Sequence, residues 1–186
     1  GPFDMGISVF SDNGTALLYS TIAGGGGMDI SSSIVADSNG DFYVLGTTGS
    51  SDFPVTVGAY DGTFNGGPTQ NLGGCCFFPG DFDSGSDLFI LKFSSGTAGL
   101  LYGTYVGGTG NDGINSGTML NYNYGDVFRG EINVDELDRP WVATVTSSTN
   151  FPMIQGPYPS YNGGTTDGVL FRMSSDLSTL EWSSYV

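Results

Sequence analysis

Carboxylates are the reactive side chains this chain has in quantity: 19 Asp and Glu stand against 4 Lys and Arg, and there is no histidine. The tightest group is Asp81-Phe82-Asp83-Ser84-Gly85-Ser86-Asp87, with acids at relative positions 1, 3 and 7. Alternating carboxylates on a short Gly-containing loop suit a hard cation, so calcium is the cofactor expected here, held by Asp81, Asp83 and Asp87. The loop is not an EF-hand, because position 12 is Lys92. Turn chemistry competes with the metal, since Asp87 recurs at a strand entrance shared with Asp4 and Asp167. Asp37-Ser38-Asn39-Gly40-Asp41 is a weaker version of the same pattern, and hairpin turns use such residues routinely. Asn111-Asp112-Gly113 also reads as a turn.

Without histidine the Ser-His-Asp and Cys-His arrangements are excluded. Paired carboxylates can hydrolyse a glycoside, and Asp126, Glu131 and Asp135, with Arg129 among them, are the acids so placed. Pairing of Arg129 with one of them would instead pin a loop, and this role is preferred. No catalytic residue is assigned, and the chain is not read as an enzyme. The two cysteines are neighbours, Cys75-Cys76. Disulfide geometry disfavours a bond between adjacent residues, so a strained vicinal bridge, two thiols and links to outside cysteines all stay open. Zinc lacks the further ligands it needs.

Aromatic residues in loops carry the stronger case for binding. Tyr122, Tyr124 and Phe128, beside Arg129, lie in one irregular segment, Phe77 and Phe78 in another, and Tyr158 and Tyr161 in a third. Flat rings outside the strands suit sugar faces or protein partners, unless they fold back over the sheets. A net charge of −15 argues against nucleic acid and anionic membrane surfaces as partners. No run of about 18 apolar residues is present, so no membrane insertion is expected.

The elements that must position these residues follow from an internal repeat. Val35 to Thr56 contains an Asp37-to-Asp41 turn, a strand in which Phe42, Val44 and Gly46 alternate with Tyr43, Leu45 and Thr47, and a Phe53-Pro54 exit. The same order returns at Val134 to Met153, 98 positions later. A second segment, Phe3 to Gly25, recurs from Ser86 to Gly108 at an offset of 83, and Leu17-Leu18-Tyr19 matches Leu100-Leu101-Tyr102. The difference places a 15-residue insertion within Ile114 to Glu131. A third, partial copy starts at Asp167, with Leu180-Glu181-Trp182 in place of Leu-Leu-Tyr. Glycine, 32 residues, clusters in turns, and no stretch of 11 or more residues keeps apolar positions at i, i+3, i+4 and i+7, so the chain is all-β with ten strands. Sequence units span about 3–85, 86–165 and, in part, 166–186, a single segment of four-stranded antiparallel repeats.

The succession DLFILKFSS, LLYGTYVGGTGNDG, VDELDRPWVATVTSSTNFP resembles the bacterial SBBP-type β-propeller repeat. The version with NYNYGDVFRGE resembles segments of large Bacteroidetes cell-surface proteins that carry gliding-motility-associated carboxy-terminal domains. The resemblance covers the whole chain. It departs at Leu137-Asp138-Arg139-Pro140, where a Gly-Asn turn is usual, and at Ile22-Ala23-Gly24-Gly25, where Tyr-Val-Gly-Gly is usual. It implies propeller blades, about two and a half units of a larger ring, and secretion by the type IX route to the cell surface. The expected role is a structural and binding module of an adhesin-like protein whose loop insertions meet a glycan or a cell-surface protein. Other domains of the same long chain are further expected partners. A carbohydrate-active enzyme on the same scaffold and a spacer in a surface filament are the competing roles.

Overall fold

The computed structural model describes residues 1–72, 80–96, 99–115 and 126–186. Among them are ten strands and one 3-10 turn, Asp126–Phe128, and every strand-to-strand pairing is antiparallel. β1 (Met5–Phe10) and β2 (Leu17–Ala23) form a half-sheet. The middle sheet is the meander β3 (Asp29–Ala36), β4 (Phe42–Thr48), β5 (Asp87–Phe93) and β6 (Leu100–Val106). The outer sheet is the meander β7 (Glu131–Val134), β8 (Pro140–Thr146), β9 (Asp167–Met173) and β10 (Leu180–Tyr185).

The folded unit and the sequence unit are out of phase by two strands. The stretch 3–85 contributes β1 and β2 to one sheet and β3 and β4 to the next, so each sequence copy bridges two sheets. Chain continuity therefore ties neighbouring sheets covalently, in addition to their packing.

Burial explains the composition of each strand. Every residue of β4 and β5 is buried, because the half-sheet covers one face and the outer sheet the other. This is why DLFILKF is an almost unbroken apolar run. On β9, DGVLFRM, buried and half-buried residues alternate, as expected of a strand covered on one face. Phe42, Val44, Phe89, Leu91 and Phe93 meet Met5, Ile7 and Ala23 in one core. Tyr43, Leu45, Leu88 and Ile90 meet Ile132, Val142, Val169, Phe171 and Met173 in the other.

The Phe-Pro exits lock the sheets from outside. Phe53 is buried against Phe89 with ring centres 4.4 Å apart, and Phe151 lies 5.8 Å from Phe171. Burying such a ring stabilises the fold by about 1.5–3 kcal/mol. Tyr105 on β6 donates its hydroxyl to Ser50 O at 2.7 Å and accepts from Phe53 N at 3.0 Å. Tyr185, in the equivalent place on β10, donates to Ser148 O at 2.8 Å. Beyond each exit the chain runs along the outer strand: Thr56 N donates to Gly103 O, and Ser183 N to Ile154 O. The edges of β6 and β10 are thereby covered in part.

Candidate functional site

The structure does not bring Asp81, Asp83 and Asp87 together as one ligand set. Asp87 is buried at the entrance of β5, accepting from Asn65 N at 2.6 Å and Gly66 N at 3.2 Å. Asp81 accepts from Leu72 N at 3.0 Å and lines, with exposed Asp83, Asp52, Met28 and Phe82, a cleft of ≈ 260 Å³. Among the described residues no three Asp, Glu, Cys or His side chains are grouped so as to hold a metal ion.

Asp87 instead meets Asp112, which the sequence marks only as a turn residue. A Cβ on Gly107 would sit 2.5 Å from an Asp87 oxygen and 2.7 Å from an Asp112 oxygen, so both carboxylates crowd the glycine. Asp112 is fully buried and accepts from Gly108 N at 2.8 Å, Ser148 Oγ at 3.0 Å and Thr146 Oγ1. Burial pushes Asp112 up to about 7. Burial also pushes Asp87 up to about 8, with the neighbouring Asp112 charge adding to the effect. The same latch stands one sheet earlier: Asp29 accepts from Gly25 N at 2.7 Å, Ser50 Oγ at 2.9 Å and Thr48 Oγ1. Asp4 converges with Asp29 on Gly24 as Asp87 does with Asp112 on Gly107. The legible signal was Gly-Gly, three residues, Asp, paired with Thr-x-Ser at the next strand end. With both carboxylates buried, the pair acts as a structural latch between sheets.

Glu131 and Asp135, two of the candidate catalytic acids, have different partners. Glu131 is exposed at the start of β7 and accepts from Ser33 Oγ at 3.4 Å, which joins β7 to β3. Asp135 is engaged by Arg139, with Nε at 2.8 Å and a second guanidinium nitrogen at 2.7 Å, and this pairing holds its carboxyl well below the usual range. Asp126 opens the 3-10 turn, and Arg129 follows it, exposed.

Of the expected binding aromatics, Phe77, Phe78, Tyr122 and Tyr124 lie outside the described residues, as do Cys75 and Cys76. Phe128 corrects the expectation of a surface ring. The 3-10 turn directs it into a core with Met28, Phe82, Ile114 and Val127, its ring centre 5.9 Å from Phe82. Tyr161 is half-buried edge-on against Tyr185 at 5.8 Å. Tyr158 is 64% exposed and borders a cleft of ≈ 200 Å³ with Ser160, Asn162 and Tyr185.

Residues 18–54 match the SBBP family model, described as a beta-propeller repeat. They contain β2, β3, β4 and the first Phe-Pro exit. The repeat is of the β-propeller type. A comparison with curated proteins returned no match. The three sheets are accordingly blades, with β3 and β7 facing one another across a blade junction.

That junction exposes a second feature that periodicity could not show. In the middle blade Lys92 is buried, its Nζ 2.8 Å from Asp37 Oδ2, donating to Tyr43 Oη at 3.0 Å and lying 4.7 Å from the Tyr43 ring centre. Burial alone would lower Lys92, but the Asp37 and Tyr43 contacts outweigh it and raise it. The Tyr43 hydroxyl crosses the junction, within 2.9 Å of Asp138 O and 2.8 Å of Ser175 O, where its single hydrogen serves one acceptor at a time. Asp138 also takes Ser38 N at 2.8 Å and Ser38 Oγ at 2.6 Å. Asp138 has φ 57° where the repeat mate Gly40 has φ 81°. The departure from glycine keeps the left-handed turn, which aspartate tolerates, and adds a clamp between blades.

In the outer blade the same positions hold Asp135, Trp141, Arg172 and Trp182. Arg172 lies 5.1 Å from the Trp141 ring centre, and the two indoles are 5.6 Å apart with their planes at 48°. Glu181 bridges Arg172 at 2.9 Å and Arg139 at 3.4 Å. These four charged side chains keep 22–28% of their surface exposed.

Proposed function

We propose that this propeller segment is a structural and binding module of a secreted, cell-surface, adhesin-like protein, with blades as the rigid base and loops as the recognition surface. The supporting observation is the pinning of both Phe-Pro exits: Tyr105 and Tyr185 hold them, and the following chain lies along β6 and β10. Segments that leave such a base vary without disturbing it. The acidic charge suits an extracellular protein that keeps apart from nucleic acid. The resemblance to large Bacteroidetes surface proteins supports type IX secretion and display beside other domains of one long chain. Glycans or cell-surface proteins are the proposed partners, and calcium the proposed ion. Catalysis forms no part of this reading.

The test replaces residues 73–79 and 116–125 by glycine-serine linkers, leaving Phe82, Ile114 and Val127 in place, and measures binding to bacterial cells and to a glycan array. Loss of binding with an unchanged urea midpoint is the expected result. Full retention of binding contradicts the proposal.

A further inference from the structure

One side-chain oxygen holds the turn between β1 and β2. Asn13 Oδ1 accepts from Ser11 Oγ at 2.8 Å, Thr15 N at 3.1 Å and Thr15 Oγ1 at 2.7 Å, and Gly14 supplies the left-handed φ of 70° that closes the loop. A backbone N–H can only donate, so the atom facing Thr15 N is the oxygen, and the amide nitrogen Nδ2 is the outward one. Asn13, Gly14 and Thr15 are all exposed.

The third copy of this turn separates what the fold needs from what Asn13 adds. At the repeat position of Asn13, Asp176 takes the same three bonds, from Ser174 Oγ at 2.6 Å, Ser178 N at 3.1 Å and Ser178 Oγ at 2.7 Å. A carboxylate therefore builds the turn as a carboxamide does, and the turn has no use for Nδ2. The third copy also shows the turn with a neighbouring blade in place. Tyr43 Oη reaches Ser175 O at 2.8 Å and Tyr60 N donates to Leu177 O at 3.0 Å, yet Asp176 and Ser178 stay exposed. Exposure at Asn13 and Thr15 thus belongs to the turn itself, and a further blade packed against β1 and β2 would leave it.

We infer that Asn13 is an N-glycosylation site, read through the acceptor triplet Asn13-Gly14-Thr15. The chain has eleven asparagines, and this one alone has Ser or Thr two positions on. The inference rests on the reading of the chain as a secreted protein, the setting in which such acceptors are used. The donor is a glycosyl diphosphate of a hexose or an N-acetylhexosamine. Nδ2 attacks the anomeric carbon, the bond from that carbon to the phosphate oxygen breaks, and the diphosphate leaves with the electron pair. One Nδ2 proton passes to a basic group of the transferase. The secondary amide that results keeps Oδ1 as an acceptor and retains one N–H. All three bonds of the turn survive, so the folded hairpin carries the sugar at its tip.

The test recovers the chain from the cells and the medium of its own source and maps the peptide bearing Asn13 by mass spectrometry. Extracellular chain with a sugar on Nδ2 is expected, and the mass of the first residue tells a hexose donor from an N-acetylhexosamine donor. Thr15→Ala and Asn13→Asp, produced in the same source, are each expected to lose the modification. Asn13→Asp should leave the urea midpoint of the sugar-free chain unchanged, as the Asp176 turn implies, so loss of the sugar is distinguished from loss of the fold. Extracellular chain with bare Asn13 overturns the inference and leaves the secretory reading intact. Chain found only inside the cell, with bare Asn13, overturns both. A sugar that persists in Thr15→Ala also overturns the inference, because its attachment would not read the triplet.

Discussion

The middle and outer blades carry the same strands at the same repeat positions, yet one cation-aromatic cluster is closed and the other open. In the middle blade Lys92, Asp37 and Tyr43 are buried under the turns of the next blade. In the outer blade Arg172, Asp135 and Trp141 remain half-exposed, with extra partners in Arg139 and Glu181. A buried ion pair depends on its partner, because either charge alone would be stranded in a medium of low polarity. An exposed network has water as a substitute partner, and each of its contacts contributes little to stability. The repeat thus conserves a position while its energetic role changes with what covers it.

Four substitutions break or sharpen this contrast. Asp37→Ala strands the Lys92 charge beside Tyr43 and is expected to cost about 3–5 kcal/mol in urea unfolding. Asp135→Ala, the same change in the open cluster, is expected to move the midpoint far less, and by an amount that added salt reduces further. Equal effects would erase the distinction between the clusters. The repeat mates Ile132 and Ile34 give a second, apolar version. Ile132 is 6% exposed and Ile34 62%, so Ile132→Ala is expected to cost about 2–4 kcal/mol. Ile34→Ala is expected to stay within about 0.5 kcal/mol in the same unfolding experiment.

Protonation probes the latch formed by Asp87 and Asp112. Asp87 and Asp112 titrate near 8 and 7 in the folded chain, above the ordinary carboxylate range. The folded state therefore keeps protons that the unfolded state has released. Stability from this pair is fullest below the unfolded carboxylate range, falls as pH rises to about 8, and is level beyond. Urea midpoints at mildly acidic pH should exceed those at mildly alkaline pH, and Asp112→Asn should flatten the difference. A midpoint that rises across this window would contradict the arrangement. The smallest effect is expected from Asp138→Gly, which relieves a positive φ of 57° while removing the clamp on Ser38. A slight net loss of stability, read as earlier exchange of the Ser38 amide, is the expected result.

All ten strands were legible in sequence, because alternation and Gly-rich turns mark each end, and the Phe-Pro exits were legible as paired anchors. The phase between repeat and blade was not, since periodicity along a chain does not say which neighbours share a sheet. Asp112 was hidden for a related reason. Its partners Thr146 and Ser148 lie 34 and 36 residues away, and Asn-Asp-Gly has an adequate local explanation as a turn. The Trp141, Arg172 and Trp182 row becomes visible only with the registers of three strands in hand. Phe128 misled because an aromatic in an irregular segment is ambiguous until the turn that aims it is known.

The most direct test of the closed and open clusters is acrylamide quenching of the two indoles in the chain. Trp141 and Trp182 occupy the open cluster, so red-shifted emission and efficient quenching are predicted. Blue-shifted emission that acrylamide barely touches would show the outer cluster closed like that around Lys92, and the contrast between the blades would fail.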